Sequence, residues 1–249
     1  MQPIEHSAGA GVAVIIPAKD EQDRIAATVK AACQLPGADL VVVVDDGSAD
    51  ATARLAEEAG ARVVRHGRNR GKGAAMESGA EAVRLLDDGA SRHLLFLDAD
   101  LAGTAGDATP LIEPVRSGAA DMTIAVFSST VKLGGHGFVV RLSRDGIKRA
   151  TGWTATQPLN GQRCLTRAAF EAALPLAPGF GVETALTIDL LRKGMRVTEV
   201  EVPLAHRATG TDWRAQVHRA RQFRDVARAL AVRDPAVTTR LSRLRRTSP

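Results

Sequence analysis

The chain has 249 residues, a formal net charge of +5 and 45% hydrophobic content, enough for one sizeable α/β domain of ordinary globular composition. No run of about twenty apolar residues occurs, so no membrane-spanning helix is expected, and Met1–His6 lacks the charged and apolar regions of a secretory signal, so a cytoplasmic setting is expected, with peripheral contact at the inner face of the membrane as the alternative. Aromatic residues make up 3% and tyrosine is absent, which argues against a stacking platform for nucleic acid. The two cysteines, Cys33 and Cys164, lack metal-ligand spacing and read as reduced packing residues.

In chain order, Gly11–Ala18 reads as a buried strand that exits into Lys19-Asp20-Glu21. Ile25, Val29 and Ala32 mark one stripe of a following helix. Leu40–Val44 is a second strand and exits into Asp45-Asp46-Gly47-Ser48. Ala51–Glu58 forms a short helix that Asp50 can cap, with Gly60 placed to stop it. Arg62–Val64 is a brief strand, and Gly73–Leu86 a helix with Ala75, Gly79, Val83 and Leu86 on one face. Leu94–Leu97 is a third apolar strand and ends in Asp98-Ala99-Asp100. Met122–Phe127 is a strand, Ser128–Gly137 a loop, and Phe138–Ala150, Thr166–Leu174 and Val182–Arg192 are helices. Met195–Val202 is a last strand. Trp213, Val217, Ala220, Phe223, Ala227 and Leu230 then mark a long amphipathic helix. Alternation of this kind implies a mainly parallel sheet with helices on both sides.

Three strands releasing acids at one end make a site, because ligands of open α/β sheets gather beyond the carboxyl ends of their strands. If strand geometry persists through Asp98 and Asp100, the two carboxylates share a side. Such a pair suits Mg2+ or Mn2+, which take one or two carboxylates and leave positions open for phosphate oxygens. Gly71-Lys72-Gly73 opens a helix; its glycines allow close backbone approach, and Lys72 is a point charge for a pyrophosphate or a base carbonyl. A Walker loop is excluded because Ala74 follows Gly73.

Pro-Ala-x-x-Glu, Val-Asp-Asp-Gly-Ser-x-Asp, Arg-Gly-Lys-Gly and Asp-Ala-Asp, in this order and spacing, resemble the nucleotide-sugar half of a GT-A glycosyltransferase of family 2. The resemblance implies a Rossmann-like α/β fold and a UDP-sugar or related donor. It assigns donor contacts to Pro17, Ala18, Glu21, Asp45, Asp46, Gly47, Ser48, Lys72, Asp98 and Ala99. Asp45 has the competing role of a turn cap. Asp100 is implied as ligand of the Mg2+ or Mn2+ and as a catalytic residue.

The second half carries Gln157-Pro158-Leu159-Asn160-Gly161-Gln162, Gly179-Phe180-Gly181-Val182-Glu183 and His206-Arg207. This order is similar to glucosyl-3-phosphoglycerate synthases of family 81. The resemblance implies that Glu183 hydrogen-bonds the donor sugar and that His206 completes the metal site. It departs where the acceptor binds: Gly137, Val139 and Ala208 stand where the family has Arg, Thr and Asn. Gly135, Arg141, Arg144 and Gly161 are the remaining candidates for acceptor contact. The acceptor is expected to be a phosphorylated or other small molecule. A polyprenyl phosphate is the alternative, since Phe138–Val140 is apolar and flanked by cations. Glu183 is followed by Thr184, without the Asp of inverting family 2 members; either Glu183 is the general base or the reaction retains configuration.

The expected organisation is a glycosyltransferase domain over 1–211, divided at 105/106 into donor and acceptor halves, and a basic amphipathic helix and tail over 212–249. That tail holds ten arginines from Arg214 to Arg246 and suits either solvent or an anionic membrane surface. A homodimer stays open. Among other classes, a sugar-phosphate nucleotidyltransferase would need a Gly-rich loop after the first strand, where Pro17–Glu21 stands. A non-catalytic module would have no need of Lys72, Asp98, Asp100, Glu183 and His206 together.

Overall fold

The computed structural model describes residues 11–87, 91–127, 137–203 and 213–234. The first strands are β1 (Val12–Ala18), β2 (Ala38–Asp45), β3 (Arg62–Arg65) and β4 (His93–Phe96), joined by helices α1 (Ile25–Ala32), α2 (Thr52–Glu58) and α3 (Lys72–Leu86). After a 3-10 segment (Ala102–Leu111) come α4 (Glu113–Arg116), β5 (Met122–Phe127), α5 (Gly137–Thr151), β6 (Arg163–Leu165) and α6 (Arg167–Ala172). The chain then runs through α7 (Val182–Arg192), β7 (Val197–Val202) and α8 (Trp213–Val232). The strands form one seven-stranded sheet in the order β3-β2-β1-β4-β6-β5-β7. All pairs are parallel except those of β6, which runs antiparallel to both β4 and β5.

The near-continuous apolar runs of β1 and β2 follow from burial on both faces. Val12, Val14 and Ile16 face a core built with Ile25, Val29 and Leu111, while Ala13 and Ile15 face Ala75, Met76 and Val83 of α3. Each fully buried Val or Ile contributes about 1.5–3 kcal/mol by leaving water. The chain winds outward from β1 to β3, and α3 then carries it back to β4 on the other side of β1. That reversal leaves a crevice beyond the carboxyl ends of β1 and β4. Register aligns Ala18 with Asp45 at the ends of β1 and β2.

Several expectations change. β4 ends at Phe96 and Ala99-Asp100 lies in a turn, so strand alternation does not carry through Asp98 to Asp100. Leu86 is 43% exposed rather than on the buried face of α3, because the helix ends there and extends past the sheet. Cys33 is exposed at the end of α1, whereas Cys164 is buried in β6 with its thiol pushed up to about 12 by burial. Strand β6 and the 3-10 segment were not foreseen; three residues are too few for periodicity to mark. Among the described side chains of α8, from Ala220 onward, Val226 and Ala229 are buried and Leu230 is half-buried, so over this stretch the inward stripe is rotated from the expected one and Phe223 lies at its exposed edge. The cause is the neighbour: Gly181, just before α7, lets α8 approach so closely that a Cβ there would lie 2.6 Å from the Asp225 carbonyl oxygen. The expected loop at 128–136 lies outside the described residues.

Candidate active site

The exit of β2 is locked by its own side chains. Asp45 accepts the Ser48 amide at 3.0 Å, the cap role that competed with donor contact. Ser48 Oγ in turn accepts the Asp20 amide at 2.9 Å, tying this turn to the exit of β1. Ala18 serves through its carbonyl, which accepts the Asp46 amide at 2.8 Å. Pro17 is the next-to-last residue of β1. The Glu21 amide donates to Thr52 Oγ1 at 2.8 Å. Gly47 has φ +74, and a Cβ there would lie 2.7 Å from the Arg68 carbonyl carbon; only glycine lets the 68–71 segment cross so close.

Asp46 points into the protein. Its carboxylate takes His66 Nδ1 at 2.7 Å and the amides of Arg70 and Gly71 at 2.7 and 2.8 Å. Burial alone would raise this carboxyl, but His66 and the two amides outweigh it and hold it below the ordinary Asp range. His66 Nε2 continues the chain to Ser78 Oγ at 2.9 Å. Asp46 therefore fixes the turn that delivers Lys72 to the crevice.

Lys72 sits on the first turn of α3 between two carboxylates, 2.7 Å from Asp98 and 2.9 Å from Glu183. Burial alone would lower its pKa; the two carboxylates outweigh that and hold the ammonium above the ordinary lysine range. The second oxygen of Asp98 accepts Gln162 Nε2 at 2.7 Å. Gly161 completes the wall: a Cβ on it would lie 2.4 Å from Lys72 Nζ and 2.8 Å from Asp98. Ala99 is buried, and its carbonyl is held by Thr28 Oγ1 at 2.8 Å. The Asp100 carbonyl accepts Arg24 Nη1 at 3.2 Å, which anchors the turn carrying its carboxylate.

The structure thus brings together Lys72, Asp98, Gly161 and Glu183 from segments read separately in the sequence, with Asp45–Ser48 supporting them. Gln162, Arg163 and His66 are further site components not singled out from the sequence; each is a polar residue beside a strand end, a signal too common to stand alone. Arg141 is exposed and its Nε turns back to the Gly137 carbonyl at 3.2 Å. Arg144 spends Nε and Nη2 on the carbonyls of Ala155 and Thr156, at 2.8 and 2.7 Å. Val139 is buried, so this position of α5 faces the core. Gly135 and His206 lie outside the described residues. Among the described residues no cluster of three His, Cys, Asp or Glu side chains could cage a metal.

A parallel sheet with a winding reversal at β1/β4, a Gly-Lys-Gly helix start and carboxylates gathered at the same edge define a GT-A glycosyltransferase fold. The glycosyl transferase family 2 model matches residues 13–170, and the chain belongs to that family. It is 33% identical over 179 residues to glycosyltransferase AglJ of Haloferax volcanii, covering 69% of this chain and 56% of that protein. It is 28% identical over 206 residues to glucosyl-3-phosphoglycerate synthase of Mycolicibacterium paratuberculosis, covering 73% of this chain and 60% of that one. The chain therefore spans only about six-tenths of the length of these two relatives. The crystal structure of glucosyl-3-phosphoglycerate synthase from Mycobacterium tuberculosis with Mn2+, UDP and phosphoglyceric acid superposes with a TM-score of 0.75 at 25% identity, over 92% of this chain and 80% of that one.

Proposed function

We propose that this chain transfers a hexose from a UDP-sugar to a small phosphorylated acceptor with the help of Mg2+ or Mn2+. The observation that carries the reading is the Lys72 ammonium held between Asp98 and Glu183 at the crevice beyond β1 and β4. The solved M. tuberculosis relative, which holds UDP, Mn2+ and phosphoglyceric acid together, supports donor, metal and acceptor class.

The donor set fits a metal shared with substrate. Asp100 stands in the turn past the exit of β4 as the implied ligand, and His206 is the further ligand implied by the family resemblance. Mg2+ needs only one or two protein carboxylates when phosphate oxygens complete its shell. When bound, the ion would offset charge on the departing diphosphate. The protein supplies the rest. Lys72 offers its ammonium to the diphosphate from the start of α3, and a helix N-terminus favours an anion. Once Lys72 turns to the diphosphate, the Glu183 carboxylate is available to accept hydrogen bonds from sugar hydroxyls. Gln162 holds Asp98 in place meanwhile.

The test is UDP release and product formation from UDP-glucose, with and without Mn2+, offering 3-phosphoglycerate and other small phosphates as acceptors. Metal-dependent, acceptor-stimulated UDP release is expected. Absence of release under every combination, in protein shown to be folded, would overturn the reading.

A further inference from the structure

Arg163 is the largest fully buried side chain among the described residues, 1% exposed at the start of β6. No carboxylate among the described residues lies within ion-pair distance of it. Its nitrogens instead go to backbone and hydroxyl oxygens. Nε donates to the Asn160 carbonyl at 2.9 Å and Nη2 to the Pro158 carbonyl at 3.0 Å. Nη1 donates to the Glu183 carbonyl at 3.0 Å and to Thr187 Oγ1 at 2.9 Å. The Thr187 hydroxyl donates its own hydrogen bond to the same Glu183 carbonyl at 2.9 Å. Burial pushes the guanidinium down to about 10, against the pull of Glu183, Glu199 and Asp98, so it stays charged at neutral pH.

A buried cation without a direct counter-ion is costly to keep, because desolvation penalises its charge. What this cation joins gives it another use. One branch of its fork grips the turn that presents Gly161 against Lys72 and Gln162 against Asp98. The other grips the first turn of α7, which presents Glu183 to Lys72. Both segments meet at Lys72, and they are carried by stretches some twenty residues apart. A planar guanidinium with donors in a fixed fork holds such a spacing; an ammonium does not.

We propose that Arg163 is a positioning residue that sets the distance between the Gly161-Gln162 wall and Glu183, and hence the fit of the donor sugar. The proposal rests on the glycosyltransferase reading. It implies that the sugar end of the donor suffers when Arg163 is changed and the nucleotide end does not.

The experiment compares wild type with Arg163→Met and Arg163→Lys. Three readouts are used: transfer from UDP-glucose, UDP affinity by calorimetry, and hydrogen exchange of the amides of 159–162 and 183–187. Displacement of reacting groups by about 1 Å costs on the order of a hundredfold, so kcat should fall by about that factor in both variants. UDP affinity should stay within about threefold, and exchange should rise in both segments together. Arg163→Ala should regain transfer with millimolar guanidinium and not with ammonium. Near-wild-type kcat in folded Arg163→Met would overturn the proposal. So would full activity in Arg163→Lys, which would make charge alone sufficient, or a loss of UDP affinity equal to the loss of kcat. If wild type transfers no sugar, the reading of function fails; the exchange comparison still decides whether Arg163 couples the two segments.

Discussion

The two halves of the crevice are held together in different ways. In the donor half, side chains at strand exits bind the neighbouring turn: Asp45 to Ser48, Asp46 to His66, Arg70 and Gly71, and Ser48 to Asp20. The partners lie a few residues away or in the segments that follow the adjacent parallel strands. In the other half, Glu183 and Gln162 reach the crevice from a helix and from the turn before an antiparallel strand, joined through one buried arginine. The first arrangement is a property of motifs. The second is a property of the assembled fold. Lys72 is where they meet, since its ammonium pairs with one carboxylate from each.

Breaking the donor half at the end proposed to hold the metal should have the largest effect. Asp100→Ala removes a carboxylate from the exit of β4 while leaving the anchoring bond from Arg24 to its carbonyl available. Loss of charge stabilisation on the leaving diphosphate should lower kcat by about 10²–10³-fold in Mg2+ or Mn2+. A thermal midpoint near that of wild type would show that the fold survives. Turnover within about threefold of wild type would remove Asp100 from the metal site.

Lys72→Ala tests the meeting point itself. It leaves Asp98 and Glu183 facing each other without the cation between them. A charged hydrogen bond is worth about 1.5–3 kcal/mol, so UDP affinity should weaken by roughly ten- to a hundredfold. Because its ammonium is held above the ordinary lysine range, it stays protonated and its contribution should not change between pH 7 and 9. Calorimetric titration at both values checks the size and the flatness.

The difference between the halves also explains how much could be read beforehand. The strand exits and the helix start at Lys72 are legible because each motif is contiguous and its burial pattern continuous, whereas the departure of Asp-Ala-Asp from the strand into a turn is not. That Asp46 faces inward is not legible, because it depends on His66 arriving from β3, twenty positions on. Gln162 and Arg163 sit in view beside Gly161, yet only the antiparallel pairing of β6 with β4 brings them under the site. The rotated stripe of α8 has the same origin: periodicity shows that a helix has an apolar side, while Gly179 and Gly181 decide which residues fit against it.

Asp46→Asn probes whether the donor half is a folding unit as well as a binding one. The carboxyl is held below its ordinary value in the folded protein, so the stability it adds is present above the unfolded-state pKa and lost as pH falls through the folded one. At pH 7 the variant should unfold about 1–3 kcal/mol more easily. That gap should begin to narrow as pH falls below the unfolded-state value of about 3.9 and close only once pH is below the lower folded-state value, where both proteins carry a neutral side chain. Urea melts across this range measure it. A gap that does not narrow in acid would mean that the shape of the side chain matters and its charge does not.

Gly161→Ala should be smaller and confined to binding. The new methyl would meet the ends of Lys72 and Asp98 rather than backbone, so the two side chains can move aside at the expense of their 2.7 Å pair. A threefold to tenfold weaker UDP-sugar affinity corresponds to about 0.7–1.4 kcal/mol, with the unfolding midpoint unchanged. A large drop in stability instead would show that the wall is rigid backbone packing.

The smallest effect is expected where the second half leaves the crevice. Phe138 at the start of α5 is 65% exposed and stacks on Phe223 of α8, with ring centroids 5.5 Å apart and planes inclined by 27°. Such a pair adds about 0.5–1.5 kcal/mol beyond its buried area, and this one is half in water. Phe138→Ala should therefore lower stability by about 1 kcal/mol or less and leave UDP affinity untouched, because no bond of Lys72, Asp98 or Glu183 passes through it. Urea unfolding and UDP titration on the same preparation decide the point. Should the substitution weaken UDP binding while the unfolding midpoint holds, the two halves would be coupled across α8 as well as through Arg163. The contrast between a locally braced donor half and a remotely braced partner would then extend to the edge of the molecule.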